Sequence, residues 1–305
     1  MSVGVTVSSS RCNSPLLIWT ALSAVYLIWG STYLAIRFTV ETTPPFLSAA
    51  ARFIVSGAAL YLWRRYYGDP TPSPHEWRSA TIIGILLLVG GNGAVVWAAR
   101  YIPSSLAALL VATCPLWLLL FDFLRRDGER PGPRALLGIG IGFCGAVLLI
   151  GWSANAPTPN SFAGAVVVVL GSVFWAAGSI YGKTAKLPSS PLLITGMEML
   201  TGGAVLLIVA FVSGELQFFQ PGHISPRSAF GWLYLTVVGP IAFVAYAWLL
   251  RNAPIPLVAT YSYVNPLVAI LLGYFLGKEI LALRVLLAAG LIIGSVVLVS
   301  ARRMR

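Results

Sequence analysis

Residues 259–278 read ATYSYVNPLVAILLGYFLGK, an apolar run that carries Tyr261, Ser262, Tyr263 and Asn265 directly before Pro266. Hydroxyls, an amide and a mid-helix proline can donate, accept and free a backbone carbonyl, which is chemistry for holding a small polar molecule. Tyr261 and Asn265 share one helical face, and in the related stretch RYIPSSLAALLVATCPLW the residues Cys114 and Trp117 share the matching one, with Pro115 beside them. These faces are expected to line a substrate cavity, with Pro115 and Pro266 as kinks for bending or gating; the alternative is that Asn265 only caps a kinked helix and the hydroxyls bridge helices. Asn92, in GGNGAVVWAAR, is either such glue or a ligand-binding amide, and the second is favoured. Trp29 and Tyr33 lie on a stripe with Tyr26 and Arg37, and Trp175 and Tyr181 stand beside Phe174 and Gly178. Such rings suit a flat, partly apolar ligand, or simply pack.

Two charges fall well inside apolar runs, Arg52 and Glu198. Arg52 shares its face with Ser48 and Ser56, and Glu198 shares its own with Thr195 and Gly202. Each reads as satisfied locally or snorkelling to its own interface, and Glu198 alternatively as a group that binds a proton or a cation. Their depths differ too much for a direct ion pair. Asp122 with Arg125 and Arg126 reads as a solvated helix end. Bond-breaking chemistry has little to work with: Cys12, Cys114 and Cys144 lack metal-ligand spacing, and His75 and His223 sit in separate Pro-rich loops. No catalytic residue, metal site or cofactor is assigned. GYFLGKE from Gly273 is one residue short of a phosphate loop and has Glu279 where Ser or Thr belongs.

The elements that must position these groups are membrane helices. The 305 residues are 58% hydrophobic and 10% charged, with mean hydropathy +0.85, against about 25% charged in soluble domains. The net charge of +11 does not indicate a nucleic-acid partner, because Lys and Arg sit in short loops, where they set topology. The partners are the lipid bilayer and a small-molecule substrate; no oligomeric state follows. Spans are expected at about 16–36, 46–63, 80–99, 104–123, 134–151, 162–182, 192–213, 229–250, 255–276 and 282–301, since a bilayer core takes roughly 20 helical residues. Fourteen Lys and Arg fall on the side of the N-terminus and five on the other. The bias predicts a multi-pass protein with both termini cytoplasmic.

The halves echo one another. Arg100, Pro103 and Pro115 recur as Arg251, Pro254 and Pro266 at an offset of 151, GSTY from Gly30 recurs as GSIY from Gly178, and GAVLLI from Gly145 as GSVVLV from Gly294. Ordered matches of this kind mark a duplication. Five spans per copy is odd, so the second copy must be inverted, and inverted repeats place a binding site at their interface near the midplane. The expected fold is all-α, ten transmembrane helices as two inverted five-helix repeats, with tails at 1–15 and 302–305 and repeats at 16–151 and 162–301. Gly138/Gly142 and Gly290/Gly294 read as packing faces.

The segments IWGSTYLAIR, PPFLSAAARF, PLWLLLFDFLRRDGERP, FWAAGSIYGK and YVNPLVAILLGYFLGKE resemble those of the drug/metabolite transporter superfamily, in its EamA branch, and within it the bacterial inner-membrane exporters of the YddG type. The resemblance covers residues 16–301. It implies alternating-access export of small metabolites, amino acids including aromatic ones first among them, across the bacterial inner membrane. It also implies that the first and sixth spans help enclose the cavity. Other branches carry drugs, cations or other metabolites; a non-transporting scaffold is the remaining reading. Proton coupling is left open.

Overall fold

The computed structural model describes residues 15–124, 133–151, 159–253, 255–258, 260–280 and 283–300. Both tails, Cys12, Arg125 and Arg126, and the side chains of Asp122 and Tyr263 lie outside the described residues. Among the described residues all regular structure is helical. We label the helices α1 (Pro15–Val40), α2 (Pro45–Tyr66), α3 (Pro74–Ala98), α4 (Ser104–Val111), α5 (Cys114–Leu124), α6 (Pro133–Gly151), α7 (Pro159–Thr184), α8 (Pro191–Val212), α9 (Pro226–Asn252), α10 (Ile255–Val258), α11 (Tyr261–Phe275) and α12 (Leu283–Ser300).

Helix starts follow local chemistry. Seven of these helices open on proline, whose fixed φ suits a first turn and whose missing N–H would have been an orphan there. Ser73, Ser190 and Ser225 cap α3, α8 and α9 through their side chains, Ser73 in a reciprocal box with Glu76. Six helices, α1, α2, α3, α7, α8 and α9, are long and apolar enough to cross a bilayer, and shorter apolar stretches occur in α4–α5, α11 and α12. Large apolar side chains such as Leu62, Phe211 and Phe275 face outward, as a lipid solvent requires.

Two expected spans are not single helices. The fourth breaks after Val111 and restarts at Cys114, so Pro115 occupies the first turn of α5 and needs no kink to be accommodated. The ninth ends α10 at Val258 and restarts at Tyr261, leaving Pro266 inside α11. Within α3 the stretch Ile85–Asn92 is π-helical. A π turn shifts every following side chain around the axis, and here it carries Gly90 and Gly91 against Phe174 and Trp175 of α7.

The two halves of the chain pack against one another along several helix pairs. The most extensive contacts join α2 to α8, next α6 to α12, while α1 rests on α9 and α11 and α7 rests on α3, α4 and α5. Gly57 and Gly196 let the α2 and α8 backbones nearly touch; a Cβ on Gly57 would lie 2.7 Å from Leu200 N. Residues 57 and 61 meet Gly196 while Ile54 meets Gly203, so the two helices run antiparallel. Gly142 against Ser295 and Gly145 against Ile292 give α6 and α12 the same antiparallel sense. Of the glycines expected on packing faces, Gly142 makes a close contact within the chain, whereas Gly290 and Gly294 have nothing against their open sides among the described residues.

Candidate functional site

The core between the halves holds a cavity of about 60 Å³, walled by α1, α2, α3, α4, α7, α8, α9 and α11. That is room for roughly five waters at 10–15 Å³ each. Its apolar wall is aromatic. Trp29 stands at the centre, with ring centroids 5.3 Å from Trp175, 5.4 Å from Phe243, 4.9 Å from Tyr246 and 5.4 Å from Tyr261. Mostly edge-to-face contacts of this kind hold rings in place through their quadrupoles. The Tyr246 hydroxyl meets Ser179 Oγ at 3.0 Å. Trp175 Nε1, near the Tyr246 hydroxyl, makes no hydrogen bond of good geometry.

The polar wall is Arg52 with Asn92, Ser56 and Ser172. Arg52 is 4% exposed. Its NH2 group donates to Asn92 Oδ1 and its Cζ lies 4.4 Å from the Phe53 ring centroid. Nε is buried without a partner.

Larger vestibules lie at opposite ends of the molecule. One, about 780 Å³, is bounded by Arg37, Glu41, Arg100 and Phe218, where α1 ends and α2 begins. The other, about 570 Å³, is bounded by Lys183, Glu198, Phe243, Tyr246 and Arg251, where α7 ends and α8 begins. Phe243 belongs to both the central cavity and this second vestibule, so the ring cluster is the partition between them. Towards the first vestibule, Ile36, Val40, Val96 and Leu235 close to a cleft too narrow for water.

The model of the EamA-like transporter family matches residues 16–151 and again 162–301. The chain belongs to the EamA-like transporter family. It is therefore a membrane transporter of the drug/metabolite transporter superfamily. An uncharacterized inner membrane transporter, YedA, of Escherichia coli K12 is 39% identical over 292 residues, covering 95% of this chain and 92% of that one. Protein PecM of Dickeya dadantii is 26% identical over 290 residues, with coverage of 90% and 92%. A solved crystal structure superimposes with a TM-score of 0.66 at 22% identity, over 97% of this chain and all of the other, and shares the fold.

In this EamA-family chain the expected site residues divide. Trp29, Tyr33, Asn92, Trp175 and Tyr261 line the central cavity. Arg52 does so too, which corrects the expectation that it is satisfied by Ser48 and Ser56 or snorkels: those hydroxyls donate instead to the carbonyls of Pro45 and Thr236. Glu198 borders the vestibule and forms no ion pair with Arg52 among the described residues. Cys114, Trp117, Tyr181 and Asn265 are not among the cavity's described lining. Cys114 is fully buried behind Tyr261, whose hydroxyl donates to its Sγ at 3.9 Å. Trp117 packs on Phe143, and Tyr181 packs into the main core. Asn265, 3% exposed, turns its amide nitrogen to the carbonyls of Tyr26 and Tyr261, each at 3.2 Å, so it ties α1 to the start of α11.

Three groups escaped the sequence reading. Phe243 and Tyr246 stand one turn apart in α9, a spacing that was readable but no different from ordinary packing. Glu279, past the end of α11, is the third: its Oε1 accepts from Ser104 N at 2.8 Å, Ser104 Oγ at 2.7 Å and Arg37 at 2.5 Å, and its Oε2 from Ser105 N at 3.2 Å and Ser105 Oγ at 2.6 Å. A carboxylate from the second half thus caps α4 of the first half and pairs with the end of α1. Burial alone would raise its pKa, but the Ser105 and Ser104 hydrogen bonds outweigh burial and hold it below the usual carboxylate value. Glu215 caps α2, accepting from Leu47 N at 2.8 Å. Asp69, 146 positions earlier, bonds Arg64, and that guanidinium holds it below its usual range. Acidic residues of the second half, Glu215 and Glu279, therefore fasten helix starts of the first.

Proposed function

We propose that this transporter moves small metabolites out of the cytoplasm by alternating access, with amino acids, aromatic ones included, as the first cargo class. One observation carries the reading: a contracted cavity of about 60 Å³ sits between two vestibules of about 780 and 570 Å³ at opposite ends. Side chains close both ways in, and each barrier is built from helices of both halves. A relative rotation of the halves would separate one set of rings or aliphatic groups while compressing the other.

The reading takes the chain as ten passages in two inverted repeats, 16–151 and 162–301. The antiparallel packing of α2 on α8 and α6 on α12 supports this, since helices related by an axis in the membrane plane must run oppositely. By the Lys and Arg bias both termini face the cytoplasm, so the Glu198 vestibule opens inward and the Arg37 vestibule outward. The inner-membrane description of YedA supports that location. Glu198, beside Lys183 and Arg251 in the inner vestibule, is the proposed proton group. Trp29, Tyr33, Asn92, Trp175 and Tyr261 are the proposed cargo contacts; Asn265 and Cys114 support the wall from behind.

The test is flux of labelled aromatic, aliphatic and charged amino acids into liposomes holding the purified protein, with and without a pH gradient. Saturable flux that competing amino acids reduce supports the reading. Loss of only the pH-driven part in Glu198→Gln assigns the proton to Glu198. No flux of any amino acid overturns the cargo class.

A further inference from the structure

The central cavity carries one charge that its surroundings leave uncompensated. Arg52 is 4% exposed in the middle of the protein, and the described ion pairs, Arg37–Glu279, Arg64–Asp69 and Arg227–Glu41, do not include it. No Asp or Glu is among the described residues lining the cavity. Of its five N–H donors the guanidinium commits one to a neutral amide, Asn92 Oδ1, and rests its face on Phe53; Nε has no partner. A buried cation in membrane surroundings is costly, and such groups mark the path of a substrate or ion. Asn92 and the rings orient the fork without neutralising it. Trp29, Trp175 and Phe243 supply a flat apolar cradle beside it.

We infer that Arg52 anchors a carboxylate of the cargo, and that the central cavity selects small aromatic or apolar monocarboxylates. The inference rests on the transport reading above and revises its cargo class, placing monocarboxylates ahead of amino acids. A planar carboxylate matches the guanidinium fork with two parallel hydrogen bonds, whereas a primary amide offers one acceptor and no charge. The complex of Arg52 with a monoanion is neutral inside the cavity. A zwitterion brings an ammonium that gains ring faces and hydroxyls but loses water and is repelled by Arg52, and a simple cation meets that like charge with no carboxylate to offset it. The order of affinity is therefore carboxylate without an amine, then amino acid, then amide, with amine last. Arg52 is thus a specificity-determining residue that disfavours cationic cargo.

The experiment measures binding of 3-phenylpropanoate, phenylalanine, 3-phenylpropanamide and phenethylamine to the full-length protein in lipid nanodiscs, for the wild type, Arg52→Lys and Arg52→Gln. The wild type is expected to bind 3-phenylpropanoate at least about tenfold tighter than the amide. Arg52→Lys keeps part of that ratio, because it retains charge and loses the fork, and Arg52→Gln brings it to about one. Amide or amine binding as tight as the carboxylate in the wild type overturns the inference and leaves the transport reading standing. So does an undiminished ratio in a folded Arg52→Gln. Binding of none of the four overturns the inference together with the reading that the cavity takes small aromatic cargo. The wild-type comparison decides by itself where a variant fails to fold.

Discussion

Replacing Glu279 by Gln tests whether the two halves are latched across their interface. Gln keeps the shape and one acceptor oxygen, which can serve Ser104 N and Oγ, but its amide nitrogen then faces Ser105. The Ser105 hydroxyl can rotate to accept; its backbone N–H, 3.2 Å from Oε2 in the wild type, cannot. That orphaned buried donor costs about 1–3 kcal/mol. Losing the charge at the α4 N-terminus costs about 0.3–1 kcal/mol more. Arg37, 34% exposed at its side chain, recovers water in place of its partner, so its loss adds little. The expected destabilisation is about 1–4 kcal/mol. Thermal unfolding of the protein in detergent at neutral pH should show a fall of several degrees. The pH profile follows from sign: Glu279 titrates below its ordinary value of 4.5, so its contribution is fully present above about pH 4.5 and is lost as pH falls through the lower folded value. The wild type should lose melting temperature in that acid range and Glu279→Gln should lose less. Equal melting temperatures at neutral pH for the two proteins would refute the latch.

Asn265→Leu should lower stability by about 1–3 kcal/mol by losing the two hydrogen bonds to the carbonyls of Tyr26 and Tyr261, yet leave wild-type cargo affinity in the folded fraction; a selective loss of affinity with an unchanged melt would return Asn265 to the cavity wall. Gly57→Val pushes a side chain into the α8 backbone at Leu200 N and should destabilise by about 2 kcal/mol or more, read by the same melt. A neutral outcome would mean that α2 and α8 are not in close contact. Glu215→Gln weakens the cap on α2 and should cost about 1 kcal/mol, with no change in cargo selectivity. Tested by melting and by the carboxylate-to-amide ratio, a shifted ratio would show that the cap reaches the cavity.

Run length and composition determined the membrane helices, because a bilayer core admits only backbone that bonds within itself, and that requirement is written in consecutive apolar residues. Lys and Arg placement predicts an orientation, and the echoes at Arg100/Arg251 and Pro115/Pro266 predict a duplication. Arg52 was visible as a charge in an apolar run. Tertiary structure alone decided where it points. Its partner Asn92 lies 40 residues away, and the π turn in α3 fixes the rotation that brings the two together. The helical face that grouped Tyr261 with Asn265 assumed an ideal axis and a neighbour on one side. In the fold α1 crosses close to α11, so one residue of that face reaches the cavity and the other the Tyr26 carbonyl. Glu279 looked like a loop residue because its acceptors serve Ser104 and Ser105, some 175 positions earlier. Periodicity along one chain records which side of a helix is apolar; which polar group meets which depends on crossing angles and breaks set by all the helices packing at once.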